Sequence, residues 1–185
     1  MIYDLGDSEK VVTFKTNGIT NCLELCKMIL KKYGIKNFGS STNVFKLMHE
    51  VNGELKHYGE NIKENYKNAA ECIDRHLKNG RPIIVGVNYI INRGINEGST
   101  DHFVVIYGKG FDRKLNKYYY TYYEVGKTSA TEVYNNEKNK FIFEDGKIPY
   151  LYDLESSLKN NARFDITQIR PNDGNIEKTI PQNAK

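Results

Sequence analysis

The chain has 185 residues, a mass of 21.3 kDa and a formal net charge of +4, with 39% hydrophobic and 27% charged side chains. That composition supports one domain with a core of ordinary size and excludes a disordered chain. No apolar run reaches the roughly 18 residues of a membrane span, and the opening MIYDLGDSEK lacks the basic start and apolar middle of a secretory signal.

In chain order, VVTF (11–14) reads as a short strand and Asn17-Gly18 as a turn. Cys22, Cys26, Ile29, Leu30 and Tyr33 recur at helical spacing, and Gly34 follows at the position where a helix stops. Val44, Leu47, Met48 and Val51 suggest a second helix over 42–52. A third over 60–79 carries Ala69, Ala70, Ile73 and Leu77 on one face and ends at Asn79-Gly80. The pattern then changes. IIVGVNYII (83–91) is dense in β-branched residues and predicts a strand. After the polar loop NRGINEGST (92–100), HFVVIY (102–107) predicts a second strand, ended by Gly108 and Gly110. DRKLNK (112–117) turns the chain into a third strand, YYYTYYEV (118–125). KFIFEDGKIPYL (140–151) predicts a hairpin and RFDITQI (163–169) a closing strand. Helices first and antiparallel strands afterwards is an α+β order. Residues 1–170 are expected to form a single domain, with 171–185 as a flexible tail.

Three cysteines cannot all pair within the chain, no CxxC occurs, and the four histidines are not spaced as zinc ligands. A disulfide scaffold, a structural zinc site and a cofactor are therefore not expected. The lysines are scattered rather than striped among aromatics, which argues against nucleic acid.

Three residues form a set with chemical meaning. Asn21 is a good helix N-cap, and Glu24 three positions on completes a capping-box pattern. Cys22 then lies in the first turn, where unpaired N–H groups and the helix dipole favour a thiolate, although Glu24 opposes it. His102 opens a strand straight after a loop, which suggests an imidazole at the mouth of a sheet. If the hairpin centres near Arg113, Glu124 lies opposite His102 and can orient the ring; a slip of one residue would put Tyr123 there instead. Asp101, Asp112 and Asn135 are alternatives for that third role. Together these positions supply a nucleophile, a base and an orienting group. An oxyanion hole would use the Cys22 N–H with the side-chain amide of Asn17, or of its rival Asn21.

The stretch Asn21-Cys22, Cys26, Met28-Ile29-Leu30 and Tyr33-Gly34 resembles the nucleophile helix of the bacteriocin double-glycine leader peptidases, a papain-like group. GRPIIVGVNY (80–89) and DHFVVIYGKG (101–110) are similar to that group's two core strands. DHFVVIYG joined to YYEVG (122–126) also resembles papain-like domains of bacterial toxins and secreted effectors. The chain differs from the group's pattern in three places. Leu23-Glu24 stands in place of Gly-Pro, Thr16 in place of an oxyanion-hole Gln, and Glu124-Val125 in place of Asp-Pro.

The resemblance implies a papain-like fold, with the nucleophile helix packed on an antiparallel sheet. It implies a cysteine peptidase or amidase whose catalytic residues are Cys22, His102, Glu124 and Asn17. A bacterial effector is then expected, made in the cytoplasm and exported by a specialised system. Its substrate would be peptidoglycan peptides or a target-cell protein, and a cognate immunity protein would be its partner. An acyl transferase or deamidase on the same scaffold, or an inactive binding domain, are the alternatives.

Other features read as structure. Cys72 and His76 sit one helical turn apart and suit packing better than a metal site. Cys26 belongs to the core, and His49 and His57 to a polar surface stretch. The tyrosine-rich strand suits sheet packing, and Lys27, Lys31 and Lys32 suit a solvated helix face.

Overall fold

The computed structural model describes residues 1–14, 18–19, 21–39, 43–88, 100–143, 151–153 and 164–174. In chain order these hold β1 (Tyr3–Asp4), a 3-10 turn (Ser8–Lys10), α1 (Cys22–Lys32), β2 (Phe45–Lys46), β3 (Met48–Val51), β4 (Glu54–His57) and α2 (Ile62–Lys78). They continue with β5 (Ile83–Asn88), β6 (His102–Asp112), β7 (Lys117–Tyr123), α3 (Ala130–Val133), β8 (Lys140–Phe143), β9 (Leu151–Asp153) and β10 (Phe164–Arg170). The architecture is α+β, with an antiparallel sheet as its centre.

The strands run β6-β5-β10-β9-β8-β7, and β7 pairs again with β6, so the ladder closes on itself. Closure removes most of the exposed sheet edge that an open sheet would carry. β1 and β2 attach outside this ring, on β6 and β10. One face of the central strands carries Val85, Val87, Val104, Ile106, Tyr120 and Tyr122, and joins a core with the α2 stripe of Tyr66, Ala69, Cys72, Ile73 and Leu77. The other face carries Ile84, Phe103, Val105, Tyr107 and Tyr123 and packs on Leu25, Cys26, Ile29 and Leu30 of α1. Alternating residues on each strand thus feed two helices on opposite faces. β5 and the first part of β6 are buried on both sides, which explains their near-continuous apolar runs.

The helix expected over 42–52 is absent. Residues 45–57 form β2 and the β3–β4 hairpin instead, with Val51 opposite Glu54. Asn52 and Gly53 take φ of 54° and 79°, the pair of positive values that a two-residue hairpin turn needs. Residues 11–13 form no strand. β6 does not end at Gly108 but runs on to Asp112. The two glycines admit close neighbours: a Cβ at Gly108 would sit 3.0 Å from the Tyr3 carbonyl oxygen, and one at Gly110 would strike Tyr119. Of the tyrosines of β7, Tyr120, Tyr122 and Tyr123 are fully buried core residues, whereas Tyr118, near the hairpin tip, is exposed.

α2 begins at Asn61, whose side chain accepts from the Glu64 N–H. Its far end is locked to the strand exit. His76 donates from Nδ1 to the Cys72 carbonyl at 2.8 Å and accepts the Asn172 N–H on Nε2 at 3.0 Å, so both ring nitrogens are engaged in a neutral imidazole. Burial holds that ring's pKa below its usual value. Arg75 pairs with Asp173. The packed chain therefore continues past 170 through these residues, and the rest of the expected tail, 175–185, lies outside the described residues.

Candidate active site

α1 starts where the sequence places it. Asn21 Oδ1 accepts the N–H groups of Leu23 and Glu24 at 3.0 and 3.3 Å, which fixes the first turn and sets Cys22, half-buried, as its first residue. The carboxylate of Glu24 is held by Lys27 at 2.7 Å, which draws its charge into an ion pair.

The β6–β7 register decides whether His102 and Glu124 meet. Near the hairpin tip Asp112 opposes Lys117 and Gly108 opposes Thr121. Continued without interruption, that register would set Glu124 on the α1 face, away from His102. A bulge between Ile106 and Gly108 intervenes, after which Ile106 opposes Tyr122 and Val105 opposes Tyr123. Extending this ladder puts Val104, not His102, opposite Glu124. The expected direct pairing is therefore displaced by two residues, which preserves the face. The carboxylate and imidazole lie diagonally and are long enough to bridge.

His102 Nε2 donates to Glu124 Oε1 at 2.5 Å. The same oxygen accepts the Gly126 N–H at 3.0 Å, and the Glu124 N–H donates to the Val133 carbonyl at 2.9 Å, so α3 holds the turn that carries the carboxylate. Glu124 is fully buried and His102 nearly so. Thr100 Oγ1 lies 2.7 Å from the Val87 carbonyl oxygen and 2.9 Å from that of His102, pinning the start of β6 to β5. Phe164 meets the imidazole edge-on, at 6.5 Å between centroids.

β7 stops opposite Val105, so the first residues of β6 have no β7 partner. The Cys22 sulfur occupies this uncovered margin. It lies close enough to the His102 side chain and to the N–H groups of Phe103 and Leu23 for each to favour its charged form. Burial pushes the Cys22 thiol up, but the His102 hydrogen bond and charge, with the two N–H groups, outweigh it and hold the thiol below its usual value. Burial alone would depress His102. The Glu124 charge and the Cys22 hydrogen bond reverse this and push the imidazole up to about 10. Both shifts favour a thiolate beside an imidazolium.

Cys22, His102 and Glu124 are thus brought together. Asn17, expected in the oxyanion hole, lies outside the described residues, as does Thr16. Of the alternative orienting groups, Asp112 caps the distant hairpin by accepting the Lys114 and Leu115 N–H groups, and Asn135 accepts those of Glu137 and Lys138. Asp101 adjoins His102 in the chain, but the described contact to the ring is that of Glu124.

Cys26 is fully buried one turn below Cys22, and burial first, then the nearby Cys22 and Glu124, raise its thiol well above the usual value. Burial likewise pushes the Cys72 thiol up, to about 12. His49 and His57, expected at the surface, are half-buried on β3 and β4. Lys32 donates to the carbonyls of Glu9 and Val11 instead of facing only solvent. Among the described residues no group of His, Cys, Asp and Glu is arranged to hold a metal.

Sequence reasoning missed the Phe103 N–H, the Gly126 N–H and Thr100. Two are backbone groups that no residue type announces. Thr100, the last residue of a polar loop, looks no different from its neighbours in sequence. The chain matches no family model, no curated protein and no solved structure.

Proposed function

We propose that this chain is a papain-like cysteine hydrolase that cleaves an amide bond. The observation that carries the reading is the convergence of a half-buried thiol at a helix tip, an imidazole that lowers the thiol pKa, and a buried carboxylate hydrogen-bonded to that imidazole. The Cys22 thiolate attacks the amide carbonyl carbon. The resulting oxyanion takes the Cys22 N–H, one of the helix's unpaired donors. His102 gives its proton to the departing amine, leaving a thioester on Cys22. A water molecule, losing a proton to His102, then attacks the thioester, and the acid product leaves with the thiol restored. Glu124 keeps the ring oriented and stabilises its charged form.

The resemblance to toxin and effector domains extends the proposal to its substrate: a peptide amide, in peptidoglycan or in a target-cell protein, with an immunity protein as partner. The test is to incubate the chain with purified peptidoglycan and with unfolded protein substrates, and to follow amide cleavage by mass spectrometry. Cys22→Ala and Cys22→Ser should lose at least about a thousandfold in rate while still unfolding in one cooperative transition. Hydrolysis that survives in Cys22→Ala overturns the mechanism. A wild-type Cys22 that reacts with iodoacetamide no faster than a free thiol at neutral pH points instead to a binding domain on the same scaffold.

A further inference from the structure

The end of the sheet opposite the thiol carries a feature that the hydrolytic site does not use. β6 runs eleven residues from His102 to Asp112, so the β6–β7 tip stands on the order of 35 Å from the imidazole. Phe111, Leu115 and Tyr118 there are 37%, 53% and 40% exposed; with Met1 and Ile2 at the chain start they are the exposed large apolar side chains of the described residues. Phe111 and Tyr118 are cross-strand partners with rings 5.0 Å apart, and Leu115 projects from the turn between them. Arg113, Lys114 and Lys117 surround this apolar apex. The one acidic residue of the tip, Asp112, accepts the Lys114 and Leu115 N–H groups at 2.8 and 3.0 Å, and its charge is outnumbered by the three cations beside it.

We infer that this hairpin tip docks on an anionic lipid bilayer. Cations flanking a small protruding apolar group match a surface whose headgroups are negative and whose interior is apolar. A protein partner would need a face of about 800 Å², which a convex eight-residue tip does not offer. A soluble polyanion would engage the cations but give Leu115 and Phe111 no apolar medium. The inference stands independently of the hydrolytic reading, since docking through this end leaves the thiol facing away from the membrane.

The chain contains no tryptophan, so Leu115→Trp supplies a single fluorescent reporter at the apex. Titration with vesicles of phosphatidylcholine mixed with phosphatidylglycerol should shift its emission to the blue, and pure phosphatidylcholine should not. In co-sedimentation with the same vesicles the wild-type chain should bind, and less at high salt. Arg113→Gln and Lys114→Gln should each weaken partitioning about fivefold, and Leu115→Asp should abolish it with the melting profile unchanged. No binding to anionic vesicles, equal binding to both vesicle types, or full binding by Leu115→Asp overturns the inference. Retention on heparin that Leu115→Asp leaves intact, without vesicle binding, would identify a plain polyanion site instead and overturns it equally.

Discussion

Glu124 shows how much of a site one side chain can decide. Its carboxylate is fully buried, accepts from both His102 and Gly126, and supplies the charge that keeps the imidazole protonated. Glu124→Gln keeps the size and an acceptor oxygen but removes the charge. An opposite charge at this range moves a pKa by about 1–3, so iodoacetamide labelling of Cys22 near neutral pH should slow about tenfold or more in Glu124→Gln. The labelling profile should also move to higher pH. An unchanged profile would show that Glu124 does not act through the ring. Cys22 and His102 were legible because helix capping and the opening residue of a strand are local signals. Glu124 was legible as a residue but not in its geometry, because the bulge at Tyr107 has no signature in the sequence and displaces the register that a simple hairpin predicts.

At the scale of elements, the strands and helices around the site follow from apolar period and from caps. α1 starts after Asn21 and gives way at Tyr33 to Gly34, which takes φ of 75°. The failure is the segment 42–52, where Val44, Leu47, Met48 and Val51 mimic a helical stripe over too short a span. Asn52-Gly53 was the competing signal: it fixes a tight turn and recruits Glu54–His57 as the second arm. The cost of forcing that turn is testable. Gly53→Ala places a Cβ in the left-handed region and should destabilise the fold by about 1–2 kcal/mol, read by urea denaturation. Cys22 labelling should not change, since the hairpin pairs apart from the main sheet. The opposite error came from Gly108 and Gly110, read as strand breakers when they make room for β1 and Tyr119.

For the whole molecule, the charged pair links the site to stability. The His102 pKa is raised from an unfolded value of about 6.5 to about 10. Its contribution is complete below the lower value and is lost as pH rises through the upper one. The Cys22 thiol is lowered, so its contribution is present above the ordinary thiol pKa and is lost as pH falls through the lowered value. The two trends oppose each other in the wild-type chain. Cys22→Ala leaves only the His102–Glu124 part, so its melting temperature should fall as pH rises above about 6.5 more steeply than that of the double variant Cys22→Ala with Glu124→Gln. Equal slopes in the two variants would rule out this coupling.

The bulge between Ile106 and Gly108 also divides the hairpin into two zones of unequal evolutionary freedom. Adding or losing a residue in the turn at 113–116 alters only the outer loop, where length drift is cheap. The same one-residue change between the bulge and His102 would rotate the imidazole toward α1 and strand the carboxylate on the far side. In descendants of this chain the interval from Ile106 back to His102 should therefore stay fixed in length, whereas a length change at the outer loop would bear on docking and not on the site.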